Sequence, residues 1–412
     1  IWFNLNRTIR SNVCNRMSTI EVNKIAPVSG GTAVTMGDSG DTFTVTSGAT
    51  LNASSSNLAN RANAKPLMIN GDMAVAQRET SNTNFSNGTI VVDRIQGIAN
   101  GLGSSGSVLT GSQVSDGPTG FEKSFKLEVT SAGGLDSADN RFAIETKLEH
   151  QDVSKFFDNN AMTLSFYVKS SLADTFAVGI SRNNQNTSSG GNLYIANYTI
   201  SSANTWQQVV INIPTDSTTT GETANATGVA LEWFIDVKSG GSRTGASLGW
   251  NDTTTQVQIN SAAADNGFFN ATNTWFITGV QLEVGTFTSS TLPPFQHESF
   301  GDNLARCQRY LEFSSDYGAD YTSGVNSCVI MDMGGSHPIY VPMSYNVYKR
   351  AAPTMTFYNG NSGATGTWRT NASTDVSISG TSISSQGFST NSADLGGDGR
   401  SSNGTWKAES EL

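Results

Sequence analysis

The chain has 412 residues, of which 14% are charged, and its formal net charge at pH 7 is −10. The acidic balance and the lack of clustered Lys and Arg exclude a nucleic-acid partner, because phosphate binding depends on such clusters. With 42 glycines and long tracts of Ser, Thr and Asn between short apolar runs, the composition is typical of all-β proteins rich in turns. The length predicts two or three domains.

The three cysteines, Cys14, Cys307 and Cys328, form neither a disulfide framework nor a C-x-x-C pair. Folding in a reducing compartment is the simplest interpretation. No run of about 18 apolar residues predicts a membrane span, and no apolar segment follows the basic start as it would in a signal peptide. We therefore expect neither membrane insertion nor a signal peptide.

The first 65 residues divide into two segments. Residues 1–16 differ in composition from the rest of the chain, since they contain Arg7, Arg10 and Arg16. They are expected to be a non-native or disordered leader, with a basic anchoring arm as the alternative. Residues 17–65 contain short apolar runs between Gly, Thr and Ser, which predicts an N-terminal β shaft whose short strands stack between chains. Asp38 and Asp41 lack the spacing of a calcium loop and are predicted to be turn residues.

Residues 66–297 contain the longest alternating apolar patterns. Met162, Leu164, Phe166 and Val168 alternate with polar neighbours, which is the period of a half-buried strand. Segments of this kind lie at 125–129, 162–168, 176–180, 205–211, 229–237 and 276–284. Eight or more antiparallel strands over this length predict a jelly-roll β-sandwich.

The C-terminal part, residues 298–412, is predicted to be a short helix followed by a small β-rich distal domain. Ser299 and Asp302 have the spacing of a capping box at the start of the helix. Leu304 and Cys307 then recur at helical spacing on one apolar stripe. This position predicts that the Cys307 thiol is packed in a core and is not a nucleophile.

Several short motifs, taken in order, resemble those of one family. They are NGD at 70–72, QR at 77–78, DR at 93–94, TLSFYVK at 163–169, ITGVQLE at 277–283, PFQH at 294–297, CQRY at 307–310 and AESEL at 408–412. This order resembles the tail-fibre and related structural proteins of tailed bacteriophages, and the central module is similar to jelly-roll carbohydrate-binding modules. MSTIEVN at 17–23 resembles the start of such fibre proteins, which supports the interpretation of the leader.

The resemblance implies a homotrimeric tail fibre that adsorbs to a host surface polysaccharide or lipopolysaccharide, with other phage tail proteins as partners. It places the protein in the virion tail after assembly in the bacterial cytoplasm. The alternative is a purely structural virion component that binds no sugar, and a polysaccharide-degrading tail protein ranks third. No enzyme is predicted, because the three histidines are isolated and no hydrolase or phosphate-loop motif occurs.

Jelly rolls bind sugars by stacking exposed aromatic rings on the apolar face of a pyranose. Trp250, in a polar and turn-rich segment, is the first candidate for such a contact, and Tyr194 and Tyr198 follow. Trp206 and Trp233 lie inside alternating strands and are predicted to be core residues. Fibres usually contact receptors through exposed distal loops, where the aromatic candidates are Tyr317, Tyr321, Tyr358 and Trp368.

No motif of the chain requires a cofactor. The resemblance to carbohydrate-binding modules nevertheless implies a structural calcium ion at Asp72 and Glu283. These two residues are predicted to lie on the opening strand of the sandwich, at 67–73, and on its closing strand, at 277–284, which would be neighbours in one sheet.

Overall fold

The computed structural model describes residues 65–102, 106–135, 137–157, 160–182, 191–216, 227–253, 259–319, 328–331, 339–392 and 401–412. All of these residues belong to one compact unit. The predicted leader and the predicted β shaft, up to residue 64, lie outside the described residues.

Two six-stranded antiparallel sheets form a jelly-roll β-sandwich, as the sequence predicts. In spatial order, the strands of the first sheet are β1 (Ser81–Asn82), β3 (Val108–Val114), β4 (Ser124–Ser131), β12 (Thr274–Val284), β6 (Met162–Ser170) and β9 (Gln207–Ile213). Those of the second sheet are β11 (Gly249–Thr253), β8 (Gly191–Thr199), β7 (Thr175–Arg182), β10 (Thr227–Val237), β5 (Arg141–Glu149) and β2 (Gln96–Asn100). A short helix, α1 (His150–Phe157), follows β5.

The core of the sandwich lies between the two sheets and is formed by alternate residues of each strand. On β6 these are the residues whose alternation the sequence analysis identified, and all of them are buried. Trp233 of β10 and Trp275 of β12 are fully buried in the same core. The prediction that Trp233 is a core residue is therefore confirmed.

The C-terminal part forms a third antiparallel sheet with its own core, as predicted for the small distal β domain. Its strands are β13 (Leu311–Phe313), β20 (Ser401–Glu409), β17 (Thr367–Thr370), β18 (Asp375–Thr381), β19 (Gly387–Ser392) and β15 (Ile339–Ser344), while β14 (Cys328–Met331) and β16 (Thr354–Asn359) also pair with β20. Phe357, Trp368, Phe388 and Trp406 dominate the core of this domain.

Helix α2 (Phe300–Gln308) connects the sandwich to the third sheet. The Ser299 hydroxyl accepts a hydrogen bond from the Asp302 backbone N–H, so the predicted cap is present. Cys307 is buried against Ile69, and burial raises the pKa of its thiol, which confirms the packed thiol. Within the described ranges, no helix combines the length and the apolar character needed to cross a membrane.

The predicted opening strand of the sandwich, at residues 67–73, is a series of bends and turns. Asn70 and Met73 adopt positive φ angles of 57° and 58°, which are incompatible with an extended strand. The segment still lies beside β12, because the Val280 N–H donates to the Gly71 carbonyl at 2.9 Å. A Cβ on Gly71 would lie only 2.3 Å from the Val280 carbonyl oxygen, so this close approach requires glycine.

Four of the motifs that carry the family resemblance, QR, DR, CQRY and AESEL, meet at the junction of the sandwich, α2 and the C-terminal tail. The Gln77 side-chain amide donates to the Asp93 carboxylate at 2.5 Å and to the Leu311 carbonyl of β13 at 3.0 Å. Arg94 stacks on the Tyr310 ring, with 3.6 Å from its guanidinium carbon to the ring centroid, and forms an ion pair with Glu411. These motif residues therefore hold the two domains together.

Two carboxyl groups face each other on the outer side of the second sheet. Glu232 of β10 lies directly opposite Glu145 of β5 in the antiparallel ladder, and both are buried. Arg141 Nη1 donates to Glu232 Oε2 at 2.7 Å. The pKa of Glu145 is raised to about 7. Burial is the largest cause, and the negative charge of Glu232 is the second.

The Glu145→Gln variant is expected to be more stable than the parent above pH 7. A carboxyl group whose pKa is raised by folding contributes stability that is fully present below the unfolded pKa and is lost as pH rises through the folded pKa. For Glu145 this window runs from the ordinary value of 4.5 to about 7. The free energy of unfolding of Glu145→Gln at pH 8 should exceed that of the parent by on the order of 1–3 kcal/mol.

Urea unfolding at pH 5, 7 and 8 measures this difference. The two proteins should approach the same stability at pH 5, where the parent side chain is protonated. Parallel pH profiles over the whole range would contradict the assignment of the pH dependence to Glu145.

Candidate functional site

A cleft lies between the sandwich and the start of α2. Its volume is about 550 Å³. It is lined by the side chains or backbone of Asp72, Ala74, Thr80, Gln113, Gly120, Phe121, Glu122, Lys123, His297, Phe300 and Tyr317. The turn at residues 70–73, the loop between β3 and β4, the PFQH segment and the start of α2 therefore build one site.

Two exposed aromatic rings stand at the helix side of the cleft. Phe300 is 47% exposed and Tyr317 is 43% exposed. Their rings are in edge-to-face contact, with 5.0 Å between the centroids. Tyr317 is held in place by its hydroxyl oxygen, which accepts a hydrogen bond from the Ala76 backbone N–H at 3.0 Å. Large apolar rings that stay exposed in a concave site are typical of ligand contacts.

A second aromatic group forms the sandwich side of the cleft. The Phe121 ring centroid lies 4.9 Å from that of Phe295 and 5.1 Å from that of His297. Phe295 and His297 are also in contact, with 4.8 Å between their centroids. The three rings support one another, so the wall that they form is fixed before any ligand arrives.

Polar groups between the two aromatic walls are also positioned by the protein. Asp72 Oδ1 accepts a hydrogen bond from Asn303 Nδ2 at 3.2 Å, and Asp72 Oδ2 lies 3.8 Å from His297 Nδ1. Gln113 Nε2 donates to the Met73 carbonyl at 2.7 Å. A carboxylate accepts about four hydrogen bonds, so Asp72 keeps acceptor capacity for a ligand hydroxyl.

The Tyr317 phenol is a hydrogen-bond donor at neutral pH. Partial burial is the largest cause that raises its pKa, and the hydrogen bond from the Ala76 backbone acts in the opposite direction. Because its oxygen already accepts from Ala76, the hydroxyl hydrogen is the part that a ligand oxygen would contact. The cleft thus combines apolar rings with donors and acceptors at fixed positions.

The structure brings Trp250 and Tyr194 together, at the edge of the second sheet. They are direct partners in the β11–β8 ladder, and their rings lie 5.4 Å apart in edge-to-face contact. Trp250 Nε1 donates to the Pro214 carbonyl at 2.9 Å, and the Tyr194 hydroxyl donates to the Asn212 carbonyl at 2.9 Å. Both rings are half-buried against the core, and their polar atoms already have protein partners.

Tyr198, the third predicted sugar contact, lies inside the sandwich. It is only 5% exposed, its ring stacks on Phe176 and it meets Phe166 edge to face. Its side chain points to the face of β8 that packs on the first sheet, so a sugar cannot reach it. Trp206, predicted to be buried, is half-buried and lies directly before β9.

The two predicted calcium ligands each bond a different side chain. Asp72 lies in a turn and bonds Asn303, whereas Glu283 lies on β12 and accepts a hydrogen bond from Gln281 Nε2 at 3.2 Å. Calcium requires six to eight oxygen ligands. Among the residues with described positions, no three His, Cys, Asp or Glu side chains converge in a way that could hold a metal ion.

Of the distal aromatic candidates, only Tyr317 lines the cleft. Trp368 is fully buried in the core of the third sheet, and Tyr358 is half-buried on β16. Tyr321 lies outside the described residues. The sequence analysis missed Phe121 and Phe300, although one signal was present. Phe300 occupies the first helical position after the Ser299 cap, where no helical stripe requires a large apolar side chain.

No protein-family model matches the chain, and no curated protein matches it. Solved structures align with about half of it. A putative sugar binding protein from Bacteroides thetaiotaomicron is 12% identical over 53% of this chain and 100% of that chain, with a TM-score of 0.31. The enzymatically active domain of bacteriophage CBA120 tailspike protein 4 is 14% identical over 51% of this chain and 22% of that chain, with a TM-score of 0.27.

The family 11 carbohydrate-binding module of a Clostridium thermocellum cellulosomal cellulase is 11% identical over 51% of this chain and 98% of that chain, with a TM-score of 0.27. These identities and TM-scores are low. What the cleft binds therefore has to be inferred from its own side chains.

Proposed function

We propose that this chain is a non-enzymatic tail-fibre or appendage protein of a tailed bacteriophage, and that it adsorbs to a glycan on the host surface. The glycan would belong to a capsular polysaccharide or a lipopolysaccharide. The observation that carries the proposal is the cleft, whose exposed Phe300 and Tyr317 rings stand opposite Phe121 and His297. The order of the sequence motifs supports the assignment to a phage tail.

The chemistry of a sugar matches that of the cleft. A pyranose has apolar C–H faces, which stack on aromatic rings such as Phe300 and Tyr317. Its hydroxyls need both donors and acceptors, which the Tyr317 phenol and the Asp72 carboxylate supply. Because these groups are held by Ala76 and Asn303, binding costs little ordering of the protein.

Adsorption would use several weak sites at once. The short apolar runs of residues 17–65 support a trimeric shaft, which would place three clefts on each fibre. Linking weak sites in this way raises the overall avidity by about 10²–10⁴ without any new contact. The proposed protein is assembled in the bacterial cytoplasm and acts as part of the virion, with other tail proteins as its partners.

A structural virion component that binds no sugar is the second candidate. One observation favours it: Gln77, Arg94, Tyr310 and Glu411, which belong to the motifs of the family resemblance, join the domains and do not line the cleft. A protein selected only for assembly would keep such a junction and would not need exposed rings in a cleft.

Replacing both exposed rings of the cleft, in Phe300→Ala/Tyr317→Ala, is expected to weaken adsorption to host cells by at least about tenfold, because clustered aromatic contacts carry much of the energy at binding sites. Trp250→Ala, which removes a ring at the edge of the second sheet, is the matched control and should adsorb like the parent. The measurement is saturation binding of the labelled full chain to a panel of capsulated and non-capsulated bacteria.

Thermal unfolding of the three proteins shows whether the variants are folded. Both cleft rings are exposed, so the double variant should unfold within a few degrees of the parent. Loss of adsorption in Trp250→Ala, together with full adsorption of the double variant, would instead place the glycan site at Trp250 and Tyr194.

A further inference from the structure

A second aromatic cluster lies outside the cleft, on the outer face of the first sheet. The ring centroids of Trp206 and Phe276 are 6.1 Å apart, and Lys169 Nζ lies 5.0 Å from the first and 4.3 Å from the second. Asp116 accepts hydrogen bonds from Trp206 Nε1 at 3.2 Å and from Lys169 Nζ at 2.5 Å. A half-buried indole flanked by a carboxylate and an ammonium group has the composition of a sugar-binding subsite.

The loop between β3 and β4 connects this cluster to the cleft. It carries Asp116 at its start, and it also carries Phe121, which lines the cleft. The Phe121 ring centroid lies 5.4 Å from that of Tyr167 on β6. Tyr167 and Lys169 are two residues apart on the same face of β6, which corresponds to about 7 Å along the strand. Phe121, Tyr167 and Lys169 thus connect the cleft with Trp206 across the sheet.

Gly279 makes the middle of this path possible. A Cβ at this position would lie 2.7 Å from Cζ of Phe121 and 2.9 Å from Cδ2 of Tyr167. Gly279 also has a φ of +61°, and the β12–β6 ladder is irregular at this point. The glycine therefore lets both rings lie close to the sheet. A side chain at this position would push the two rings outward, into the space between the cleft and Trp206.

The charges along this path compensate one another. Each of its three lysines lies within 4 Å of a carboxylate oxygen: Lys123 to Glu122 at 3.8 Å, Lys126 to Glu128 at 2.6 Å and Lys169 to Asp116 at 2.5 Å. A polysaccharide with a charge on each repeat would need cations that are not already paired. The chain as a whole has a net charge of −10, which would repel a polyanion at long range.

We propose that the cleft and the Trp206 ring, which packs against the buried Phe276 and is flanked by Lys169 and Asp116, bind sugars of one uncharged, linear polysaccharide. This inference rests on the proposed function and specifies its ligand class. The protein binds internal sugars of the polysaccharide along the face of the first sheet, and it does not require a terminal sugar. Affinity therefore rises with the length of the oligosaccharide until both subsites are filled.

Affinity gel electrophoresis of the full chain tests this inference with four polysaccharide probes. Barley mixed-linkage β-glucan, birchwood xylan and dextran are probes with mainly uncharged backbones, and alginate is the anionic probe. At least one of the first three should retard the parent, and alginate should not. Trp206→Ala should raise the dissociation constant for the retarding polysaccharide about tenfold, as expected when a stacking aromatic contact is removed.

Length dependence separates the two subsites. Isothermal titration with the trisaccharide and hexasaccharide of the retarding polysaccharide should show tighter binding of the hexasaccharide by the parent. In Trp206→Ala the two affinities should be nearly equal, and Trp206→Phe should restore the difference because it keeps an aromatic face. Thermal unfolding of both variants confirms that they are folded.

Each negative result contradicts a different part of the proposal. Retardation by none of the three uncharged probes would overturn the inference alone, because adsorption to host cells tests the proposed function separately. Retardation that Phe300→Ala/Tyr317→Ala abolishes and Trp206→Ala leaves unchanged would overturn only the second subsite. Stronger retardation by alginate would overturn the assignment of an uncharged ligand.

Discussion

Lys349→Met is expected to lower the free energy of unfolding by about 3–5 kcal/mol, the cost of leaving a buried charge without its partner. The side chains of Lys349 and Glu312 are 0% and 1% exposed, and they form an ion pair. Lys349 Nζ also donates to the Gln308 carbonyl at 2.5 Å, at the end of α2. Burial is the largest cause that lowers the pKa of Lys349, and the Glu312 carboxylate opposes it.

Chemical unfolding of parent and variant at pH 7 measures this effect. The double variant Lys349→Met/Glu312→Leu is the control, because it removes both charges and should recover at least about half of the lost stability. A loss below 1 kcal/mol in Lys349→Met would contradict the buried pair.

Arg94→Met is expected to destabilise the protein by about 3 kcal/mol and to release the C-terminal tail from the sandwich. The Arg94 side chain is 3% exposed, stacks on Tyr310 and pairs with Glu411, and its Nη2 donates to the Lys147 carbonyl at 2.6 Å. Lys147 Nζ in turn donates to the backbone oxygen of Leu412 at 3.3 Å. Methionine keeps the apolar contact with the ring but leaves these polar partners unsatisfied.

Hydrogen exchange at residues 409–412, measured with the free energy of unfolding, tests this prediction. Arg369→Met is the matched control, because the Arg369–Asp375 pair is at the surface, with side-chain exposures of 33% and 41%. Such a pair contributes about 0–1 kcal/mol. Equal losses in the two variants, or unchanged exchange of the tail in Arg94→Met, would contradict the role of Arg94 at the junction.

Much of the fold could be predicted from local patterns. The alternation at 162–168 and 229–237 predicted central strands because both lie where one face is buried in the core. The Ser299 cap predicted the start of α2. The opening segment at 67–73 was predicted to be a strand from the resemblance of its motif, and this was incorrect, because the Asn70 side chain bonds the nearby backbone and favours a turn.

The site was harder to predict than the fold, for two physical reasons. Asp72, Phe121, Phe300 and Tyr317 are far apart in the sequence, and only the packing of α2 against the sandwich brings them together. Local polarity also failed to predict burial, since Tyr198 lies in a polar stretch but its ring enters the core beside residues of β6 and β7. Exposure of an aromatic ring depends on the tertiary partner of its strand.

Adsorption of the labelled full chain to host bacteria, before and after periodate oxidation of their surface glycans, tests the central claim most directly. Periodate cleaves vicinal diols, so it destroys sugar rings that could stack on Phe300 and Tyr317 and leaves most protein receptors intact. Sugar binding predicts that oxidised cells lose adsorption to the level of Phe300→Ala/Tyr317→Ala on untreated cells. Adsorption that periodate leaves unchanged would contradict a glycan receptor.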